Sequence, residues 1–276
     1  MNVAAVALSV VALGPGAETE TVTAGPVTAE LSYEVVGDVR FRGLRVAIAR
    51  DGETVYRRSL YDDECREDGC HPAYRPKWTA RDRSIALRDL DRDAEPEVIV
   101  DLRLGGAHDR CYTVFHRYAP PSYEPLAFAF DEPCYDLRDL DRSAPPVPEI
   151  VGSDTRFTPR FSSSTVGYVR PLRIWRYQAG RLVDVTRAFP QQVRRDRDRL
   201  WRSYRRSRSG PVESLGLLAA WAADEYLLGR RREALRVLRR LRREGWLSKR
   251  RAGWRVPTGR RYIRELDRYL LRRGYG

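Results

Sequence analysis

Hydrophobic and polar residues alternate along the first two thirds of the chain. The alternation is clearest over 28–36, 44–50 and 53–60, where it predicts strands with one face turned toward a core. The residues Arg50–Glu53 place Asp-Gly between two such strands, which is typical of a β-hairpin. Further short apolar stretches, bounded by Gly, Pro or Asp, predict strands at 84–87, 97–104, 111–118, 125–130, 148–153 and 170–177.

The period becomes helical after Phe189-Pro190. Apolar residues then recur every three or four positions, and the pattern predicts helices over 191–206, 212–229, 231–245 and 258–274. Gly229 is a candidate C-cap, and Leu235, Leu238 and Leu241 form one apolar stripe. We therefore predict an α+β protein with an all-β domain over 25–188 and a helical domain over 189–276. Trp78, Trp175 and Tyr177 are interpreted as core residues or cross-strand pairs of the β domain.

Charge divides the chain in the same place. From Arg187 to the end there are 27 Arg and Lys against 9 Asp and Glu, although the whole chain has a net charge of only +13. An acidic β domain is therefore joined to a basic helical one. Such an excess of positive charge suggests an anionic partner for the tail, and an anionic cell-surface polymer or lipid headgroups fit better than nucleic acid. The alternative is that the arginines form a solvated helix surface or dock onto the acidic β domain.

The N-terminus resembles an export signal. Residues Val3–Leu13 are an apolar stretch followed by small and helix-breaking residues, which predicts a signal peptide over 1–17 and a secreted, extracellular protein. The stretch lacks a basic segment before it, so a buried N-terminal strand is the alternative. It is too short to span a bilayer, and no transmembrane span is predicted elsewhere.

Four cysteines, Cys65, Cys70, Cys111 and Cys134, suit two disulfides in an exported protein. Three connectivities are possible, of which Cys65–Cys70 with Cys111–Cys134 would close a tight loop at "CREDGC". The alternative is a zinc site that adds His71 and His108, although the spacings match no common closed zinc site.

The hexapeptide "LRDLDR" occurs at 87–92 and again at 137–142. In the first copy, carboxylates follow at loop positions 1, 3, 5 and 9: Asp89, Asp91, Asp93 and Glu97. Together with the carbonyl of Glu95 at position 7 they would supply most of the six to eight oxygen ligands that Ca²⁺ prefers. The flanks are strands, so the loop is not an EF-hand. The alternative is a solvated acidic turn paired with Arg88 and Arg92.

The second copy is interpreted as a degenerate loop. It keeps Asp139 and Asp141, but Ser143 replaces the third aspartate and "PPVP" displaces Glu149 by two positions. An internal repeat of this length suggests two similar supersecondary units.

The stretch "DLDRDAEPEVIVDLRLGGAH" resembles the integrin-type FG-GAP and VCBS repeats of exported proteins, with their D-x-D-x-D-G-x-x-E/D loops between strands. The resemblance covers about residues 85–190. It implies a propeller-like or partial-propeller fold, a structural calcium ion held by Asp89, Asp91, Asp93 and Glu97, and a binding or scaffold role. The chain departs from the pattern at Ala94, which stands where the family has glycine.

These patterns together predict an exported, non-enzymatic binding or scaffold module with one structural calcium ion and an unknown protein or anionic polymer as partner. The alternative is a nucleic-acid-binding protein that uses a winged-helix-like tail, in which "WLSKRRAGW" would form the hairpin. A third possibility, a hydrolase that uses His108, lacks an accompanying nucleophile motif.

Overall fold

The computed structural model describes residues 7–12, 16–36, 40–66, 69–73, 84–105, 110–130, 134–142, 147–157, 159–161, 169–207, 213–248 and 256–276. Over these residues the chain forms three antiparallel sheets and then four α-helices, so its class is broadly α+β. The described residues divide into two compact units, Met1–Ile150 with Arg176–Val183, and Val151–Trp175 with Asp184–Gly276.

The first sheet is a meander in which each strand pairs with the next. Its strands are β1 (Ala7–Ala12), β2 (Ala17–Ala24), β3 (Val27–Val36), β4 (Arg40–Arg50) and β5 (Glu53–Ser59). The hairpin predicted at Arg50–Glu53 is present. Asp51 and Gly52 form its turn with φ values of 51° and 84°, the left-handed backbone that a two-residue hairpin turn requires.

Strand β1 lies in the region where the sequence suggested a signal peptide. Its six residues pair with β2 from Ala7–Thr23 to Ala12–Glu18, which is the strand alternative for this region. Removal of residues 1–17 during export stays a prediction.

The second sheet contains β6 (Cys70–Pro72), β7 (Ile85–Arg88), β8 (Glu97–Leu104), β9 (Arg110–Ala119) and β10 (Ser122–Phe130), in the order β10-β9-β8 with β6 and β7 both on β8. The third sheet has the order β11 (Asp136–Arg138), β12 (Glu149–Ser153), β13 (Leu172–Gln178) and β14 (Arg181–Asp184).

The propeller-like fold is a wrong prediction. In the part of the chain that the structure describes, the strands form three separate antiparallel sheets, and these do not close into a ring of blades. Most of the strands were predicted, but alternation along a strand reports only which side chains face a core. It carries no information on whether successive sheets close around an axis.

The core of the first unit lies between apolar faces of the first two sheets. Alternate residues of β3 and β4 are buried, including Leu31, Val46 and Ile48, and they belong to one cluster with Val98 and Val100 of β8. The strands of this core thereby fix the ends of β7 and β8, and hence the loop between them.

The second unit is built on α1 (Pro190–Ser207), α2 (Glu213–Leu227), α3 (Arg231–Arg243) and α4 (Gly259–Arg272). Gly229 follows α2 with φ of 74°, and the N–H of Arg230 donates to the carbonyl of Glu225 at 2.7 Å, as in a Schellman cap. The predicted stripe on α3 is present, with Leu238 and Leu241 buried and Leu235 half-buried.

None of the described helices combines the length and the apolarity that crossing a bilayer requires.

Candidate metal centre

The two copies of the hexapeptide form equivalent loops at the ends of two hairpins. The first joins β7 to β8, and the second joins β11 to β12. In each loop the N–H of the second leucine donates to the glutamate of the following strand, Leu90 to Glu97 Oε2 and Leu140 to Glu149 Oε2, both at 2.8 Å.

The arginine that ends each hexapeptide has a left-handed backbone, with φ of 65° at Arg92 and 54° at Arg142. The hexapeptide therefore specifies one local structure twice.

The three aspartates of the first loop converge. One carboxylate oxygen from each of Asp89, Asp91 and Asp93 lies within 4.8 Å of the others. Backbone N–H groups hold two of these side chains. Asp89 accepts from Arg92 at 2.7 Å and from Ala94 at 3.2 Å, and Asp93 accepts from Glu95 at 2.9 Å. The loop thus positions three hard oxygen donors around one point.

Ala94 adopts a left-handed backbone, which glycine adopts more easily. Its φ is 68°, so the loop keeps the left-handed turn despite the side chain. This backbone costs an alanine about 1–2 kcal/mol.

Asp91 carries an unsatisfied oxygen inside the loop. Its Oδ2 accepts from the N–H of Ala179 at 2.8 Å, in the turn between β13 and β14. Its Oδ1 is buried and has no hydrogen-bond partner among the described residues. Because a buried acceptor without a partner is costly, this oxygen is suited to a cation at the point where the aspartates meet.

Glu97 lies beneath the loop and is 1% exposed. Burial, and then the charges of Asp91, Asp93 and Asp89, raise its pKa to about 8, against the lowering effect of the Leu90 N–H. The three aspartates contribute oxygens that lie within 4.8 Å of one another, and no Glu97 oxygen belongs to this group. Direct coordination by Glu97 therefore stays a prediction, whereas the charges of the aspartates already contribute to its raised pKa.

The Glu95 side chain turns away from the aspartates. Its carboxylate forms a two-pronged ion pair with Arg50 at the end of β4, with Oε2 at 2.9 Å from Nη2. The Arg50 guanidinium also lies 4.4 Å from the ring centre of Tyr118. This pair ties the loop to the first sheet. The role of the Glu95 carbonyl as a ligand stays a prediction.

The carboxylates of the second loop bind an arginine side chain. Asp139, Asp141 and Glu149 contribute oxygens within 4.8 Å of one another, and the Arg176 guanidinium bonds to Asp141 at 2.9 Å and to Glu149. Glu149 is fully buried, as Glu97 is. Hydrogen bonding to Glu149 raises the pKa of Arg176, so this arginine stays charged. Ser143 lies outside the described residues.

Sequence reasoning missed Arg176. The residue is in β13, far along the chain from the loop that it fills, and only the pairing order of the third sheet brings it there. The available signal was a lone arginine between buried aromatic residues, Trp175 and Tyr177. Tyr177 is a core residue, as predicted.

Protein-family models, curated proteins and solved structures give no match to this chain. The resemblance to FG-GAP and VCBS repeats therefore stays a prediction.

We expect Arg176→Gln to lower the free energy of unfolding by about 1–3 kcal/mol, because it leaves the buried Glu149 carboxylate without its cation. The expected loss is kept at or below about 3 kcal/mol because the Arg176 side chain is 29% exposed, and solvent weakens its ion pairs. Denaturant unfolding measures the change. Arg138→Gln is the matched control, because its pair with Asp136 is exposed and its loss should cost less than about 0.5 kcal/mol. Equal losses in the two variants would contradict this role of Arg176.

The cysteines lie at disulfide distance in the pairs suggested by the tight "CREDGC" loop. Cys65 pairs with Cys70 and Cys111 with Cys134, with Cα separations of 5.1 and 5.5 Å. The pairing leaves no thiolate for the alternative zinc site.

Two of the three histidines lie among the described residues. His108, the residue of the hydrolase alternative, lies outside the described residues. His116 lines a cleft of about 620 Å³ beside β5. Burial lowers the pKa of His116 to about 4, and its Nδ1 lies 3.2 Å from the Val98 carbonyl. The ring is therefore neutral, with Nδ1 as the donor and Nε2 as a buried acceptor without a partner among the described residues.

Sequence reasoning also missed a buried acid in the helical unit. Asp224 in α2 is fully buried, and burial, followed by the charge of Asp196, raises its pKa well above the usual range. The neutral form of Asp224 is therefore favoured. The signal was an acidic residue inside the apolar stretch of α2.

Proposed function

We propose that the chain is an exported, non-enzymatic binding or scaffold module whose first hexapeptide loop holds one structural Ca²⁺ ion. The ligands are Asp89, Asp91 and Asp93, with Glu97 beneath them. The ion fixes the loop, and through the Ala179 and Arg50 contacts it stabilises the strands to which that loop is bonded.

The contrast between the two loops carries this proposal. Both have the same leucine-to-glutamate hydrogen bond and the same left-handed arginine. In the second loop a guanidinium bonds to the carboxylates. In the first, the described residues place no cation on the three aspartates, the Asp91 Oδ1 has no partner, and the Glu97 carboxyl has a raised pKa. In the second loop the positive charge comes from an arginine of the chain itself. The equivalent loop without such an arginine is therefore suited to a metal ion.

The chemistry of the donors favours calcium among common metal ions. All are carboxylate oxygens, which suit hard cations, and a Ca²⁺ ion accepts six to eight such ligands in varied geometries. Zinc prefers nitrogen and sulfur donors, and the first loop offers neither. The two disulfide pairs are consistent with an oxidising compartment, where calcium reaches millimolar concentration and weak sites fill.

Calorimetric titration of the oxidised protein with CaCl₂ tests this proposal, after removal of metal with EDTA. We expect one ion to bind per chain with a dissociation constant of about 0.1–1 mM, the range of extracellular modules. Asp93→Asn should abolish the binding heat. Two bound ions per chain would contradict a single site. One ion that still binds Asp93→Asn would overturn the assignment to the first loop.

A further inference from the structure

The second unit contains a groove between α3 and α4 with an unusual distribution of charge. Its volume is about 450 Å³, and its walls carry arginines from both helices, Arg239 and Arg242 of α3 and Arg260 and Arg264 of α4. The half-buried side chains of Leu235 and Ile263 complete the lining with Asp267.

Most of the groove's positive charge is not neutralised by the residues that the structure describes. Its one carboxylate, Asp267, already bonds to Arg231 at 2.9 Å and to the Tyr226 hydroxyl at 2.7 Å. Among the described residues, Arg242, Arg260 and Arg264 form no ion pair with a carboxylate. The ion pairs of α3 and α4 involve other arginines, among them Arg231 with Asp267, Arg236 with Glu233, Arg240 with Glu244 and Arg261 with Glu265.

An exposed leucine lies on the same side of α4. Leu271 follows Arg260, Arg264 and Asp267 at intervals of three or four residues, so the four share one helix face. Its side chain is 43% exposed, and Val183 is the other large apolar residue so exposed in the described part of the chain. The face therefore combines guanidinium groups with an accessible aliphatic side chain.

Guanidinium groups bind phosphate oxygens in a planar, two-pronged geometry, and arginines beside exposed leucine are typical of helices that lie in a membrane interface. Single-stranded nucleic acid would need aromatic side chains for base stacking, and the groove lining has none. We propose that this α3–α4 face binds the phosphate headgroups of anionic phospholipid at a bilayer surface. The arginines contact the phosphates, and Leu271 enters the headgroup region.

The test is sedimentation of the full chain with vesicles, in EDTA so that calcium cannot bridge protein and lipid. The vesicles are phosphatidylcholine alone, or phosphatidylcholine with phosphatidylglycerol at a molar ratio of 7 to 3. We expect binding only to the phosphatidylglycerol vesicles. Each arginine near an anionic surface contributes about fivefold to partitioning, so Arg260→Gln with Arg264→Gln should weaken binding about 25-fold. Leu271→Ser should further weaken binding to the phosphatidylglycerol vesicles without changing how that binding depends on salt.

Arg202→Gln with Arg205→Gln is the matched control, because it removes two exposed arginines from α1 of the same unit. That double variant should bind within about twofold of the wild-type chain. Equal weakening by the two double variants would show diffuse attraction and overturn the site. Binding to pure phosphatidylcholine, or binding to duplex DNA in place of vesicles, would overturn the ligand class. Because calcium is absent, a failure here is separate from a failure of the calcium site.

Discussion

Calcium at 10 mM is expected to raise the melting temperature of the oxidised protein by about 3–10 °C over its value in EDTA. This concentration is about 10 to 100 times the expected dissociation constant, and a ligand that binds only the folded state then adds about 1.4–2.7 kcal/mol to the free energy of unfolding. For units of 150–250 residues, each kcal/mol shifts the melting temperature by about 2–4 °C. Circular dichroism or calorimetry measures the shift.

Two variants of the first loop should abolish the calcium response. Asp91→Asn and Asp93→Asn each remove a negative charge, while the asparagine oxygen still accepts a hydrogen bond, so the contact between residue 91 and the Ala179 N–H is kept. In EDTA both variants should be at least as stable as the wild-type chain, because they relieve repulsion among converging carboxylates. A large loss of stability in EDTA would mean that these aspartates support the fold by themselves.

The second loop supplies the internal control. Asp141→Asn removes a partner of Arg176 and is expected to lower the melting temperature equally with and without calcium. The calcium-dependent increment should therefore survive in this variant. If calcium stabilised neither the wild-type chain nor this variant, and both were folded, the first loop would be an acidic turn and not an ion site.

Local sequence patterns predicted most of the strands and all four described helices. The hairpin at Asp51-Gly52 and the cap at Gly229 depend on backbone preferences of single residues, which a sequence reports directly. Strand β2 was missed because its alternating Thr, Glu and Val residues contain few large apolar side chains. The propeller prediction failed because closure depends on how sheets are arranged in space, which periodicity within strands does not encode.

The candidate site, like the fold, was only partly predictable from the sequence. Loop residues that are two apart in sequence converge because a tight turn forces them together, so Asp89, Asp91 and Asp93 could be grouped from the sequence. The groups that adjust the site come from other strands. Ala179, Arg50 and Arg176 reach the two loops through strand pairing and packing, across separations of 27 to 88 residues. Such partners become visible only when the register of the sheets is known.

Calcium affinity is expected to rise about 50-fold between pH 6 and pH 8. In the ion-free fold, burial and the neighbouring aspartates hold the pKa of Glu97 at about 8, so the carboxyl is largely protonated at pH 6. A bound dication favours the ionised carboxylate, and binding therefore releases one proton from Glu97. Below pH 8, the dissociation constant for calcium should fall nearly tenfold for each unit by which the pH rises. Above pH 8 it should become constant, because Glu97 has then already lost its proton. Titrations at several pH values, in buffers with different ionisation enthalpies, measure both the affinity and the proton released.

The stability of the ion-free protein should change in the opposite direction. The folded-state pKa of Glu97 is raised above its unfolded value of about 4.5, so the folded state binds this proton more tightly. Its contribution to stability is fully present below pH 4.5 and is lost as the pH rises through 8. In EDTA the melting temperature should thus decline from pH 5 to pH 9, whereas saturating calcium should flatten the decline. Glu97→Gln keeps an acceptor for the Leu90 N–H and removes the titrating group, so it should remove both pH dependences. A calcium affinity that still rises about 50-fold in Glu97→Gln would show that Glu97 is not the source of the proton.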